Sequence, residues 1–118
     1  MVVNGKIQKA EIKLVDMDRT DPVFVLQLVL IFGSTDGPCG NCAFDIVLDE
    51  EVFFSNKYVC RKATPESGSI IKKVMQIAGV DSWSQIEGKY IRCVIDGDRM
   101  FSKLVGIGHI IDDIWIEK

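Results

Sequence analysis

Val23-Phe24-Val25-Leu26-Gln27-Leu28-Val29-Leu30-Ile31-Phe32 decides the fold. This run is apolar except for Gln27, and its branched residues crowd a helix but fit a pleated strand. It is bounded by Asp21-Pro22 and by Gly33, both chain breakers. Bilayer spans need about 20 apolar residues, so the run is too short to be one. It reads as a central strand covered on both faces.

Just before it, Lys9 to Val15 alternates, with Ala10, Ile12 and Leu14 on one side and Glu11 and Lys13 on the other. That is the pattern of a half-buried strand. The polar stretch Asp16 to Pro22 joins the two as a hairpin. After the glycine-rich loop Gly33 to Gly40, strand character resumes over Ala43 to Leu48, and a second hairpin folds back. The stretch Asp49 to Thr64 fits no one pattern. Its composition predicts Val52, Phe53 and Phe54 buried and Lys57, Arg61 and Lys62 exposed.

Further on, Ile70, Ile71, Val74, Ile77 and Ala78 recur at helical spacing, with Lys72, Lys73 and Gln76 opposite. Thr64-Pro65 or Ser67 starts this helix, and Gly79 stands just past its end. Ser82-Trp83-Ser84-Gln85 has the spacing of a capping box for a short second helix that Gly88 ends. Lys89 to Ile95 and Met100 to Ile107 form a hairpin about Asp96-Gly97-Asp98. The two glycines of Gly106-Ile107-Gly108-His109-Ile110-Ile111 mark a bend or a close backbone approach. Ile114-Trp115-Ile116 reads as a last short strand.

With no repeat, linker or low-complexity tract, residues 1–118 are expected to form a single domain. The order β-β-β-α-α-β-β predicts an α+β fold: an antiparallel sheet of five to six strands with one main and one short helix.

A chain of 118 residues, 47% apolar and 26% charged, has the composition of a globular domain. Its net charge of −3 speaks against long nucleic acid as a partner, because gripping phosphates takes a basic surface. A small anionic ligand needs only one or two local cations. Nothing at the N-terminus reads as a signal peptide, and no run suits a membrane, so a cytoplasmic location is expected. Reduced thiols are then the default for Cys39, Cys42, Cys60 and Cys93. Cys39-Gly40-Asn41-Cys42 is a C-x-x-C, but it opens a strand and has no second pair. It reads first as a glycine-rich turn, with zinc as the alternative if Cys60 and Cys93 are brought to it.

Catalytic readings find little support. There is no nucleophile elbow, P-loop or dinucleotide fingerprint. The single histidine, His109, sits among apolar neighbours and reads as a hydrogen-bonded core or edge residue. Asp16, Asp18, Asp21, Asp49, Glu50, Glu51, Asp112 and Asp113 cluster in turns, where acids are solvated. The chain is therefore expected to be a binding protein rather than an enzyme, with no cofactor and no resident metal.

For a ligand, Ser67-Gly68-Ser69 at the helix start offers an anion backbone N–H groups and the positive dipole end. An ordinary capped helix start is the plainer alternative. Arg61, Lys62, Arg92, Arg99 and Lys103 are candidate cations. Phe44, Trp83 and Phe101 are candidate stacking partners for a base, and each is also a natural core residue.

Three segments carry a likeness: Asn41-Cys42-Ala43-Phe44, Val80 to Arg92 (VDSWSQIEGKYIR), and Ile107 to Trp115 (IGHIIDDIW). In this order they resemble a group of small phage- and prophage-encoded proteins with the pattern VDSWxxLxGKxxR…IGHIIxDxW. The group is similar to the Thoeris anti-defence sponges, which sequester a cyclic ADP-ribose signal between protomers. The resemblance implies a non-enzymatic counter-defence role, a small cyclic nucleotide as ligand and a homo-oligomer. On that reading Asn41, Phe44, Ser67, Gly68, Ser69, Arg92 and Arg99 form the ligand site. The departure is Pro38, Cys39 and Cys42, where the group is richer in glycine. The rival expectation is a protein-inhibitor module, an anti-CRISPR or other host-targeting phage factor, which binds a host defence protein.

Overall fold

The computed structural model describes residues 1–18, 20–32, 41–55, 58–97 and 103–117, with the side chain of Asn41 left aside. The glycine-rich loop with Pro38 and Cys39, as well as Lys57, Asp98, Arg99, Met100 and Phe101, lies outside the described residues. Strands β1 (Val2–Val15), β2 (Val23–Ile31), β3 (Asn41–Val47), β4 (Asp49–Ser55) and β5 (Tyr58–Ala63) come first. They are followed by α1 (Ser67–Ala78), a 3-10 turn (Trp83–Gln85), β6 (Tyr90–Asp96), β7 (Lys103–Gly108) and β8 (Trp115–Glu117). The fold is α+β, mostly sheet. No helix is long and apolar enough to cross a membrane among the described residues.

Six strands form one antiparallel sheet in the order β3-β2-β1-β6-β7-β8. β1 holds it together, because Val2–Lys6 pairs with β6 while Lys6–Val15 pairs with β2. A register shift between Ile7 and Lys9 bends the strand at this handover. β3 and β7 stand four places apart, which in a flat sheet is about 19 Å. Yet Cα atoms of the two come within 8 Å, so the sheet curls round its inner face.

That inner face is the core. Ile7, Leu26, Leu28, Leu30, Phe44, Ile91, Cys93 and Ile107 are fully buried on it. Val74, Ile77 and Ala78 of α1 close the cluster, with α1 packed against β6 and β8. Burial contributes about 1.5–3 kcal/mol for each such large side chain. Gly79 ends α1 in the left-handed region at φ 70°, and the amides of Gly79 and Val80 bond back to Gln76 and Met75.

Several expectations need correcting. β2 has Leu26, Leu28 and Leu30 buried on one face, whereas on the other only Val25 is buried and Val23, Gln27 and Val29 are half-buried. Ile12 and Leu14 share the inner face of β1 but are exposed. Among the described residues no strand flanks that side of β1 past the β6 pairing, so the two lie on an open edge. The Ser82 capping box does not form. Ser82 Oγ instead lies 3.0 Å from Ser84 Oγ, and the turn closes through Gln85 N–H to the Ser82 carbonyl.

The largest correction concerns Asp49 to Thr64. These residues form a separate two-stranded sheet, β4-β5, on which Val52, Phe53 and Phe54 are exposed rather than buried. Arg61, expected at the surface, is mostly buried.

Candidate functional site

Three places present chemistry to a partner. The first is the start of α1. Glu66 occupies the N-cap in a helical conformation, and no side chain caps the first turn. Gly68 and Ser69 are exposed, Ser67 is half-buried, and a side chain on Gly68 would meet nothing within 4 Å. The Thr64 amide bonds to the Leu48 carbonyl at 2.9 Å, which sets this helix end beside the base of the β4-β5 hairpin.

Arg92 lies at the opposite end. A side chain on Gly79, past the last turn of α1, would meet His109 Nε2 at 3.7 Å, and Arg92 Nε donates to the His109 carbonyl at 2.5 Å. The 12 residues of α1 span about 18 Å, so Ser67–Ser69 and Arg92 are not brought together within one chain. Arg92 is also engaged. Its Nη2 donates to the Asp112 carbonyl at 2.7 Å, and its guanidinium stacks 4.3 Å from the Trp115 ring centre. Trp115 in turn packs against Gly108, where even a Cβ would collide with its ring. The backbone approach that the two glycines predicted is this stack. His109 Nδ1 accepts from the amides of Ile111 and Asp112 at 3.1 and 2.8 Å, so it serves the turn into β8.

The remaining expected site residues are scattered. Phe44 is fully buried on the inner face, out of reach of a surface ligand, which corrects its candidacy as a stacking partner. Trp83 packs half-buried against the core. Asn41 opens β3 opposite Ile31. Lys62 and Lys103 are exposed on β5 and β7, and Arg99 lies outside the described residues.

Cys93 is buried, and burial first, then the neighbouring Cys42, pushes its thiol up to about 12. Burial also raises the Cys42 thiol. Such thiols are poor nucleophiles and poor metal ligands while protonated. Cys60 sits on the hairpin opposite Phe53. No cluster of three or more His, Cys, Asp or Glu side chains suited to a metal occurs among the described residues.

The second place is the β4-β5 hairpin. Hairpins of two strands are marginal alone, and this one is fastened at its base. Asp49 is buried with its side chain 3% exposed, and its Oδ1 accepts from Arg61 Nε at 3.0 Å and Nη2 at 2.8 Å. Its Oδ2 accepts the Phe24 amide at 2.8 Å. Burial alone would raise this carboxyl. The Arg61 guanidinium and the Phe24 amide outweigh burial and hold it below the ordinary value. Asp21 adds a second tie, accepting the Arg61 amide at 2.9 Å and donating its own to the Val59 carbonyl at 2.8 Å.

Beyond this base the hairpin is bare. Phe53 and Phe54 are 59% and 70% exposed, and Val52 and Tyr58 are 46% and 40% exposed. Consecutive strand residues point to opposite faces, so each face of the hairpin carries one phenylalanine, with Phe53 opposite Cys60 and Phe54 opposite Val59. Composition could not show this. An apolar run flanked by charges looks the same whether it enters a core or a partner.

The third place is a groove of about 380 Å³ on the outer face of β1, β2 and β3. Val15, Met17, Val23, Val25 and Val47 line it, with Lys13 and Asp45 at its sides. Gln27 links those two, accepting from Lys13 Nζ at 2.9 Å and donating to Asp45 Oδ1 at 2.8 Å. The groove was not anticipated, although the valines alternating with leucines along β2 carried its signal. No family model matches the chain, and the searches of curated proteins and of solved structures returned no match either.

Proposed function

We propose that the chain is a non-enzymatic binding protein that holds a protein partner against its β4-β5 hairpin. The observation that carries this reading is that Val52, Phe53, Phe54 and Tyr58 are large and exposed, with one phenylalanine on each face of a hairpin whose base is fixed by a buried ion pair. Large apolar side chains left exposed together on one element mark interaction sites. Aromatic side chains on a fixed frame lose little freedom when they bind. The acidic balance and the likeness to small phage-encoded proteins direct the reading toward a host-targeting role.

The double substitution Phe53→Ser with Phe54→Ser tests it. The immobilised wild type is expected to retain a defined protein from a lysate of its own host cell, and the double variant is expected to lose it. Equal retention by both would overturn the reading.

The uncapped, open first turn of α1 favours a second reading, capture of a small cyclic nucleotide, in line with the sponge-like resemblance. Because Arg92 lies at the far end of α1, it can join such a site only from a second protomer. Under this reading, cyclic nucleotides including cyclic ADP-ribose raise the melting temperature, by about 2.7 kcal/mol of stabilisation at a hundredfold excess over Kd. No shift across the panel is expected if the hairpin is the functional element.

A further inference from the structure

We infer that, when no other partner is bound, the surface that receives the hairpin is the outer-face groove of a second copy of this chain; the inference rests on the hairpin being a contact element. Finger and groove belong to one region of the molecule. Val47 lines the groove, and Asp49, two residues on, opens β4. Nevertheless Phe53 and Phe54 remain 59% and 70% exposed, so the finger does not fill the groove beside which it springs. A neighbouring copy offers the same groove without that constraint.

Reciprocity follows from the same adjacency. When the finger of one copy covers the groove of the other, the second finger stands beside the first groove, and a two-fold axis satisfies both contacts. Met17, 55% exposed and lining the groove at this end of the sheet, falls within the area so covered.

Charge favours a copy over a partner of one sign. The groove has Lys13 on one side and Asp45 on the other. At the hairpin base Glu50 stands opposite Lys62, while Arg61 is taken up by buried Asp49 and leaves Glu51 exposed. Both surfaces therefore carry charge of both signs, which a strongly acidic or basic partner cannot match along its length. A net charge of −3 per chain opposes association only weakly.

The test is light scattering behind gel filtration, from ~1 µM to ~200 µM protein. The wild type is expected to be a dimer. Phe53→Ser with Phe54→Ser removes the finger, and Val47→Lys blocks the groove at a residue 50% exposed, where folding is undisturbed. Each variant alone is expected to raise the dimer Kd at least about 30-fold. An equimolar mixture of the two retains one intact finger and one intact groove, so heterodimers are expected to form more tightly than either variant pairs with itself. A wild type that stays monomeric throughout, variants that dimerise as well as the wild type, or a mixture that gains nothing would each overturn the inference. If the wild type is monomeric while the finger variant still loses a captured host protein, only self-association fails. Were that capture also unaffected, the reading of the hairpin itself would fail.

Discussion

Replacing Asp49 by alanine is expected to lower stability by about 3–5 kcal/mol, the usual loss when one partner of a buried ion pair is removed. The change leaves the Arg61 guanidinium, 14% exposed, without its carboxylate and strips the Phe24 amide of its acceptor. For a domain of this size that corresponds to a fall of ten or more degrees in melting temperature, roughly, by calorimetry. Glu51→Ala is the control. Glu51 is 60% exposed and meets Arg61 only at 3.7 Å, so its loss is expected to cost under about 0.5 kcal/mol. Replacing both buried partners, Asp49→Leu with Arg61→Met, is expected to recover most of the loss, since neither charge is then stranded.

The same pair sets an acid dependence. The folded-state value of Asp49 lies below its ordinary 3.8, so the folded protein binds this proton less readily than the unfolded chain. Its contribution is complete above about pH 5 and is lost as the pH falls through the folded-state value. The wild type should therefore lose stability below about pH 4 more steeply than Asp49→Leu with Arg61→Met. Parallel acid unfolding curves for the two would contradict this account of the hairpin base.

Phe44→Ala is the second large effect, expected to cost about 3–5 kcal/mol in urea unfolding. Phe44 is fully buried among Leu28, Ile107 and the other inner-face side chains, and truncation leaves a cavity that the packed, curled sheet cannot collapse. A ligand-stacking residue would behave otherwise, since its loss would spare the unliganded fold. A change below about 1 kcal/mol would show that Phe44 is not the core residue described here.

Much of the fold was legible because period and punctuation agreed. Val23–Ile31, the alternation of Ile91, Cys93 and Ile95, the stripe Val74, Ile77 and Ala78, and Gly79 each obey a local rule that the tertiary structure reinforces. The candidate site was far less legible. Asp49 stands beside Glu50 and Glu51, and nothing local says that one carboxylate of the three turns inward to meet Arg61, a contact 12 residues away. Phe53 and Phe54 have core composition, and their exposure follows only from β4-β5 leaving the main sheet. Arg92 alternates off the core face as expected, but stacking on Trp115 and bonding to the turn after β7 depend on chain 17 to 23 residues further on.

The central claim is that the hairpin aromatics face a partner and not the protein's own core. Its most direct test is the thermal melt of the Phe53→Ser with Phe54→Ser protein at a concentration too low for self-association. The account predicts a midpoint within a few degrees of the wild type, because substitutions at exposed sites usually stay within about 0.5 kcal/mol each. A fall of ten degrees or more would mean that Phe53 and Phe54 are part of the folded interior, and the claim would be wrong.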